Sequence, residues 1–196
     1  MKILNLYAGI GGNRKLWGDG HEVTAVEFVP EIAAVYQTLF PNDTVIVGDA
    51  HQYLLEHYKD FDFIWASPPC PTHSRLRSSH ITTSPMVYPD MSLYQEIIFL
   101  QKWFKGNWVV ENVIPYYEPL IKPTANIDRH LIWSNKPIEH KEFIRNYDIS
   151  RATKEILSDY LGIALPEGTK DQRKLLRNAV APEFGKYILE QVSIDK

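Results

Sequence analysis

The sequence predicts an α/β protein built on a doubly wound, mostly parallel sheet. Short apolar segments typical of strands alternate five times with segments of helical periodicity. Several of the predicted strands are followed at once by glycine or an acidic residue, which is typical of the sheet edge where such proteins bind ligands. The 196 residues are enough for one domain with a proper core.

The first predicted strand, residues 3–7, leads into a turn that contains Gly9, Gly11 and Gly12. Glycines let the backbone turn tightly and let a ligand approach it closely, although a plain loop fits this spacing equally well. The second strand ends at Glu27, roughly 20 residues later, where a carboxylate commonly binds ribose hydroxyls. A solvated acid at a strand end is the alternative interpretation.

A predicted helix over residues 31–40 leads to a third strand, residues 44–47, and then to Asp49. A second helix follows over residues 50–58. Asp49 fits two roles equally well, because it can cap the free N–H groups of this helix or bind a ligand beyond the strand. The two roles are compatible.

The fourth strand, residues 61–66, ends in a corner that contains Pro68 and Pro69 and delivers Cys70. Proline fixes φ and lacks an N–H group, so neither a helix nor a central strand can continue here. The corner would hold one side chain at a fixed point beyond the carboxyl end of the strand, where ligands bind in open α/β sheets. A buried structural cysteine is the alternative.

A long polar loop, residues 72–90, follows and contains Arg75 and Arg77. Loops of this length are usually functional or mobile, and their arginines can meet phosphates or remain solvated. A helix is predicted from residue 91, and the fifth strand ends with the acid Glu111.

The remaining chain predicts a sixth strand, residues 130–133, with Arg129 at its entrance. A helix over 150–161 and two further helices within 170–189 complete the pattern. The last segment carries a local basic cluster that consists of Lys170, Arg173, Lys174 and Arg177.

The composition limits the class of protein. The 21 basic and 24 acidic residues give a net charge of −3, so nucleic-acid binding would depend on local basic clusters. One cysteine cannot form an internal disulfide, which favours a reducing, cytoplasmic setting. No apolar segment is long enough to span a membrane, and we expect neither a membrane partner nor a metal ion.

Four motifs in the same order resemble those of cytosine-C5 DNA methyltransferases that use S-adenosylmethionine. They are NLYAGIGG at 5–12, SPPC at 67–70, ENV at 111–113 and RNAVAP at 177–182. The resemblance implies a Rossmann-like methyltransferase fold. It also implies transfer of a methyl group from S-adenosylmethionine to C5 of a cytosine in DNA, as in DNA methylation and restriction–modification.

The resemblance also implies residue roles. Cys70 would attack C6 of a flipped cytosine, Glu111 would hold or protonate N3, and Asn112 would support that turn. Arg129 would contact the cytosine and steady the glutamate, although the rest of its motif is absent. The residues assigned to the cofactor are Tyr7, Gly9, Gly11, Glu27, Asp49, Asn178 and Val180. Those expected to contact nucleic acid are Arg75, Arg77, Arg173 and Arg177.

The chain departs from the family pattern in four places. Pro71 stands where Gln is usual, Arg177 where Gly is usual, and Tyr7 where Phe is usual. Only about forty residues, 131–170, occupy the place of a sizeable target-recognition domain. We therefore expect a single methyltransferase domain over 1–196, with 131–170 as a reduced remnant of that region. Sequence recognition would be short or relaxed, unless a partner subunit or a dimer supplies the missing surface.

Three alternatives remain open. SPPC also resembles the corner of amino-group methyltransferases, but a cysteine cannot stack on the target base as their aromatic residue does. A non-catalytic protein that binds DNA or a partner would fit the acidic charge, although it has no need for both Cys70 and Glu111. The same chemistry on tRNA or single-stranded DNA fits the sequence as well.

Overall fold

The structure is a computed structural model that describes residues 1–75, 86–144, 147–148 and 151–193. The strands of its sheet are β1 Lys2–Leu6, β2 Glu22–Glu27, β3 Thr44–Val47, β4 Phe63–Ala66, β5 Asn107–Val113, β6 Ala125–Ile127 and β7 His130–Ser134. Their order across the sheet is β3-β2-β1-β4-β5-β7-β6. The pairs among β1 to β5 are parallel, whereas β7 is antiparallel to both of its neighbours. The predicted doubly wound, mostly parallel sheet is confirmed.

The helices of the described residues flank this sheet. They are α1 Pro30–Leu39, α2 Ala50–His57, α3 Ser92–Trp103, α4 Lys154–Leu161, α5 Gln172–Asn178 and α6 Pro182–Ser193, with short 3-10 helices at Asn13–Leu16 and Tyr58–Asp60.

Local sequence explains where several helices begin and end. Pro30 occupies the first turn of α1, where a missing N–H costs nothing. Asp49 caps α2 by accepting hydrogen bonds from the backbone N–H groups of His51 and Gln52. Thr153 caps α4, which explains why the helix predicted from residue 150 begins only at 154. Gly162 ends α4 in the left-handed conformation, with φ at 59°.

Two predictions about the second half of the sheet need correction. β6 was not predicted, because a strand of three residues has no detectable periodicity. It forms a hairpin with β7 through Asp128 and Arg129, and Asp128 adopts a φ of 57°. β5 continues through Val113, so Glu111 lies within the strand rather than at its end.

Apolar side chains pack on both faces of the sheet. On one face Leu4, Leu6 and Ile64 lie against Ile97 of α3. On the other face neighbouring strand residues lie against α6, and they include Ile3, Trp65, Val109 and Ile132. Because side chains alternate along a strand, the apolar residues of β1 and β4 supply both layers. Burial of each such side chain contributes about 1.5–3 kcal/mol.

The carboxyl-terminal segment closes directly on the first turn of the chain. A Cβ on Gly12 would lie 2.2 Å from the carbonyl oxygen of Val180, and a Cβ on Gly185 would lie 2.4 Å from that of Asn13. Trp17 Nε1 also donates a hydrogen bond to the Gly185 carbonyl at 3.2 Å. The two ends of the sequence therefore pack together beside the glycine turn.

The segment 131–170 contributes to the fold itself. It begins within β7, and it contains α4, whose Leu157 and Leu161 pack with Ile10 and with Leu176 of α5. Whether this segment is the remnant of a target-recognition region stays a prediction. Among the described residues, no helix is long and apolar enough to cross a membrane.

A buried ion pair fixes the 3-10 helix against the end of α1. Arg14 Nε lies 2.8 Å from Asp43 Oδ2, and Arg14 Nη2 donates to Asp43 Oδ1 at 3.0 Å. Tyr36 also donates its hydroxyl to Asp43 at 2.8 Å. We expect Arg14→Met to lower the free energy of unfolding by about 3–5 kcal/mol, because it leaves a buried carboxylate without its cation.

The matched control is Lys15→Met, at the exposed neighbouring position. Urea unfolding of both variants tests the expectation. Equal shifts of the midpoint in the two variants would contradict it.

Candidate active site

Most of the predicted cofactor and catalytic residues follow the carboxyl ends of β1 to β4, and Glu111 lies in the neighbouring strand β5. β1 lies between β2 and β4, and the chain crosses from β3 on one side to β4 on the other. Such a reversal of strand order opens a crevice beyond the strand ends, where ligands bind in open α/β sheets.

The glycine turn after β1 has an unusual backbone. Tyr7, Gly9 and Gly11 adopt φ values of 56°, 54° and 76°, in the left-handed region. A Cβ on Gly9 would meet nothing within 4 Å, so this position faces open space. A Cβ on Gly11 would lie 2.4 Å from the ring of Phe40. Gly9 therefore leaves room beside the backbone, whereas Gly11 lets α1 pack closely.

Glu27 ties this turn to the end of β2. Its two carboxylate oxygens accept hydrogen bonds from the backbone N–H groups of Gly9, at 2.9 Å, and Val29, at 3.0 Å. Each oxygen keeps a second lone pair, so the carboxylate can also accept from ligand hydroxyls. The next residue, Phe28, is 70% exposed, and sequence reasoning did not identify it.

The sequence left two roles open for Asp49, a helix cap and a ligand contact, and the structure shows the cap. Both of its capping bonds, at 2.8 and 3.1 Å, go to Oδ1. The cap thus uses one carboxylate oxygen and is compatible with a ligand on the other.

The corner that carries Cys70 is held from β5. Asn112 donates its side-chain N–H to the Pro68 carbonyl at 2.9 Å, and its own oxygen accepts from the Val113 N–H at 2.9 Å. The Cys70 carbonyl accepts from the backbone N–H groups of His73 and of the residue after it, so a turn begins at the cysteine. The thiol is thereby fixed next to β5.

Glu111 is a buried acid with few compensating contacts. Burial raises its pKa to about 7, against the opposing effects of a hydrogen bond from Ser67 and the charge of Arg129. Ser67 Oγ is itself held by the indole N–H of Trp65 at 2.8 Å. A pKa raised this far keeps a proton on Glu111 closer to neutral pH than on an ordinary carboxyl group, which suits a general acid.

The thiol of Cys70 shares this environment. Burial, and then the charge of Glu111, raise the pKa of Cys70, while Arg129 and Arg177 lower it. Arg129 also donates to the Arg177 carbonyl at 3.5 Å. The structure therefore brings Cys70, Glu111 and Arg129 together, with Arg177 close enough to act on the thiol.

His130 also lies in this group and was not identified from the sequence. Its Nε2 atom is 3.8 Å from Glu111 Oε2, and both side chains are buried. The antiparallel register pairs Val113 with His130, which places His130 diagonally across from Glu111 on one face of the sheet. The register comes from the hairpin, which the sequence did not reveal.

The comparisons with known proteins identify the family. A family model described as C-5 cytosine-specific DNA methylase matches residues 1–113, more than half of the chain. The chain belongs to the C-5 cytosine-specific DNA methylase family. The resemblance inferred from the motifs is thus confirmed, and membership supports S-adenosylmethionine as the cofactor. No curated protein matches the chain.

Solved structures similar to this family member include a mutant DNMT2 from Spodoptera frugiperda, with 27% identity and a TM-score of 0.42 over 57% of this chain and 35% of that one. A structure described as a DNA modification methyltransferase of an E. coli prophage has 19% identity and a TM-score of 0.41. The match covers 60% of this chain and 33% of that one. The chain thus spans about a third of the length of these two proteins. The methyltransferase EhMeth of Entamoeba histolytica has 12% identity and a TM-score of 0.56. The match covers 98% of this chain and 97% of that one, and the two proteins share the fold.

The remaining predicted residues of this methylase-family chain contact other parts of the fold or solvent. Val180 packs on Gly12, and Asn178 is exposed at the end of α5. Arg75 is exposed and donates to the Pro115 carbonyl at 3.2 Å. Arg173 donates through Nε to the Ala152 carbonyl at 2.8 Å. Arg77 lies outside the described residues.

The thiol environment predicts an alkylation profile, because Cys70 is the only cysteine. The rate of reaction with iodoacetamide should have its midpoint above about 8.5, the ordinary pKa of a free cysteine. Glu111→Gln removes a negative charge and should lower the midpoint, whereas Arg129→Met removes a positive charge and should raise it. Stopped-time mass spectrometry measures the rates. A wild-type midpoint below 8.5, or shifts of the opposite sign, would refute this description of the site.

Proposed function

We propose that the protein transfers a methyl group from S-adenosylmethionine to C5 of cytosine in DNA through a covalent bond between Cys70 Sγ and C6. The observation that carries the proposal is the pairing of the only thiol with a buried acid. Glu111, whose pKa is raised to about 7 by burial, acts electrostatically on Cys70 at the carboxyl edge of the sheet. A thiol nucleophile beside a protonated carboxylic acid suits addition to an electron-poor ring.

The residues of the glycine turn fit the cofactor. Open space beside Gly9 admits a ligand against the backbone, and Glu27 can bind ribose hydroxyls with its remaining lone pairs. Asp49 can accept from the adenine amino group through Oδ2. Phe28 offers an exposed ring for stacking, and Tyr7 begins the same turn. Bound here, S-adenosylmethionine supplies the methyl group.

The residues of the other half act on the cytosine ring. Cys70 Sγ forms a bond to C6 while Glu111 donates its proton to N3, so the ring gains electron density at C5 without accumulating charge. Arg129 lowers the pKa of the thiol and can contact the cytosine. Methyl transfer to C5 leaves S-adenosylhomocysteine. Loss of the C5 proton to solvent, departure of the Cys70 thiolate from C6 and return of the N3 proton to Glu111 then restore the aromatic ring.

DNA binding would depend on basic side chains, because the chain as a whole is acidic. The candidates for phosphate contacts are the exposed Arg75, Arg77 two positions later in the sequence, and Arg173 and Arg177 of α5. Phosphate contacts position DNA without specifying sequence, and they weaken with salt. We propose a short or relaxed recognition sequence and a partner subunit or dimer that supplies further surface. A role in restriction–modification fits the same chemistry.

Trapping of the covalent bond tests the proposed function. With S-adenosylmethionine, duplex DNA that contains 5-fluorocytosine should form a 1:1 adduct that survives denaturation, because fluorine at C5 blocks release. Cys70→Ser should form no adduct. Glu111→Gln should form it more slowly by a factor on the order of 10² or more.

The matched control is Glu118→Gln, at an exposed acid outside the site. It should trap DNA at the wild-type rate. Adduct formation by Cys70→Ser, or equal rates for the two glutamate variants, would refute the assignment of these residues.

A further inference from the structure

A second buried acid lies under the cofactor half of the site. Glu96 of α3 is fully buried, and its Oε1 atom accepts a hydrogen bond from the Tyr7 hydroxyl. His51 Nδ1, from the first turn of α2, lies 3.0 Å from the same oxygen. One carboxylate thus connects the first residue of the glycine turn with both helices on this face.

The charges around Glu96 make His51 its natural counter-ion. Burial raises the pKa of Glu96, and its Oε2 atom is buried without a hydrogen-bond partner in the described part of the chain. The hydrogen bond to Glu96 raises the pKa of His51 above 6.5, although partial burial opposes this. The other charged groups that act on His51 are Asp49 and Asp90, both acidic. A protonated His51 therefore compensates the buried carboxylate.

Tyr7 combines this contact with an uncommon backbone conformation. It holds a φ of 56°, which is disfavoured for any residue other than glycine, at the point where β1 enters the glycine turn. Burial raises the pKa of Tyr7 and Glu96 raises it further, so the phenol remains a hydrogen-bond donor. His51 and Glu96 line a cavity between α2 and α3, and the His51 side chain is 43% exposed, so it can exchange protons with solvent.

We propose that Tyr7, Glu96 and His51 form a positioning relay, in which Glu96 fixes the Tyr7 ring at the wall of the cofactor pocket and cofactor affinity depends on the protonation of His51. The inference rests on the proposed function, because it assumes that the cofactor binds at the glycine turn. All three are positioning residues with respect to the methyl transfer.

The sign of the pH effect follows from the charges. Below its pKa, His51 is positive and Glu96 is held as a carboxylate that accepts strongly from Tyr7. As pH rises above 6.5 and through the raised pKa of His51, Glu96 loses its cation. The pair has then lost one proton, and a buried carboxylate without its cation is destabilised and rearranges, which weakens its bond to Tyr7. Cofactor affinity should therefore fall as pH rises.

The experiment measures the affinity of the full chain for S-adenosylhomocysteine by calorimetry at pH 6 and pH 9. The amino group of the ligand titrates equally in every variant, so the readout is the difference between variants. The loss of affinity from pH 6 to pH 9 should be about 2- to 10-fold larger in wild type than in His51→Gln. A difference of this size corresponds to the free energy of one hydrogen bond.

The matched control is His57→Gln on the same helix. His57 pairs with Asp60 at 3.3 Å on the surface, away from Glu96. This variant should keep the pH dependence of wild type.

Tyr7→Phe should bind the ligand about 2- to 10-fold more weakly than wild type at pH 6. The double variant Tyr7→Phe with Glu96→Leu should recover affinity and lose the pH dependence, because both partners of the buried bond are then apolar.

A cofactor-free readout accompanies the binding data. Proton NMR of the imidazole signals should give His51 a higher pKa in wild type than in Glu96→Gln, with His57 unchanged. Equal pH dependence in wild type and His51→Gln, or an unshifted His51, would overturn this inference while leaving the proposed function intact. A wild-type protein that binds no S-adenosylhomocysteine at either pH would overturn both.

Discussion

The parallel pairing of β1 with β4 is the constraint on which the site depends. Leu6 pairs with Ala66, and the N–H of Ser67 donates to the Leu6 carbonyl at 3.2 Å. The glycine turn and the proline corner therefore leave the sheet at the same level and side by side. Without this register, a cofactor on the turn and a base at Cys70 would not meet. The reversal of strand order at β1 leaves the space between them open.

Each half of the site contains a buried acid whose pKa is raised mainly by burial. Glu111 lies beside the thiol with Ser67 and His130, and Glu96 lies beneath the glycine turn. A buried carboxyl group without an adjacent fixed cation favours its protonated form. In the first half this favours proton donation to a substrate. In the second half it makes the conformation of Tyr7 sensitive to the charge of His51. The same physical cause thus serves two different purposes.

The parts of the site that the sequence predicted are those that depend on local backbone chemistry. Residue type alone indicates the local conformation at three places, which are the glycines around Gly9, the proline corner before Cys70 and the helix cap Asp49. His130 was not predictable, because its approach to Glu111 depends on the register of an antiparallel hairpin. Nothing in the sequence distinguishes Glu96 within the helix predicted from residue 91, and only the structure shows that it contacts Tyr7. Contacts that depend on pairing between distant parts of the sequence, such as those of His130 and Glu96, could not be predicted.

The central claim is that this chain methylates C5 of cytosine in DNA, and the direct test is transfer of a tritiated methyl group from S-adenosylmethionine to duplex DNA, single-stranded DNA and tRNA in parallel. Each product is digested to nucleosides and separated by chromatography. The account predicts that the label in DNA elutes with 5-methyl-2′-deoxycytidine. Label on an exocyclic amino group of cytosine or adenine, label in tRNA alone, or no transfer to any of the three substrates would contradict it.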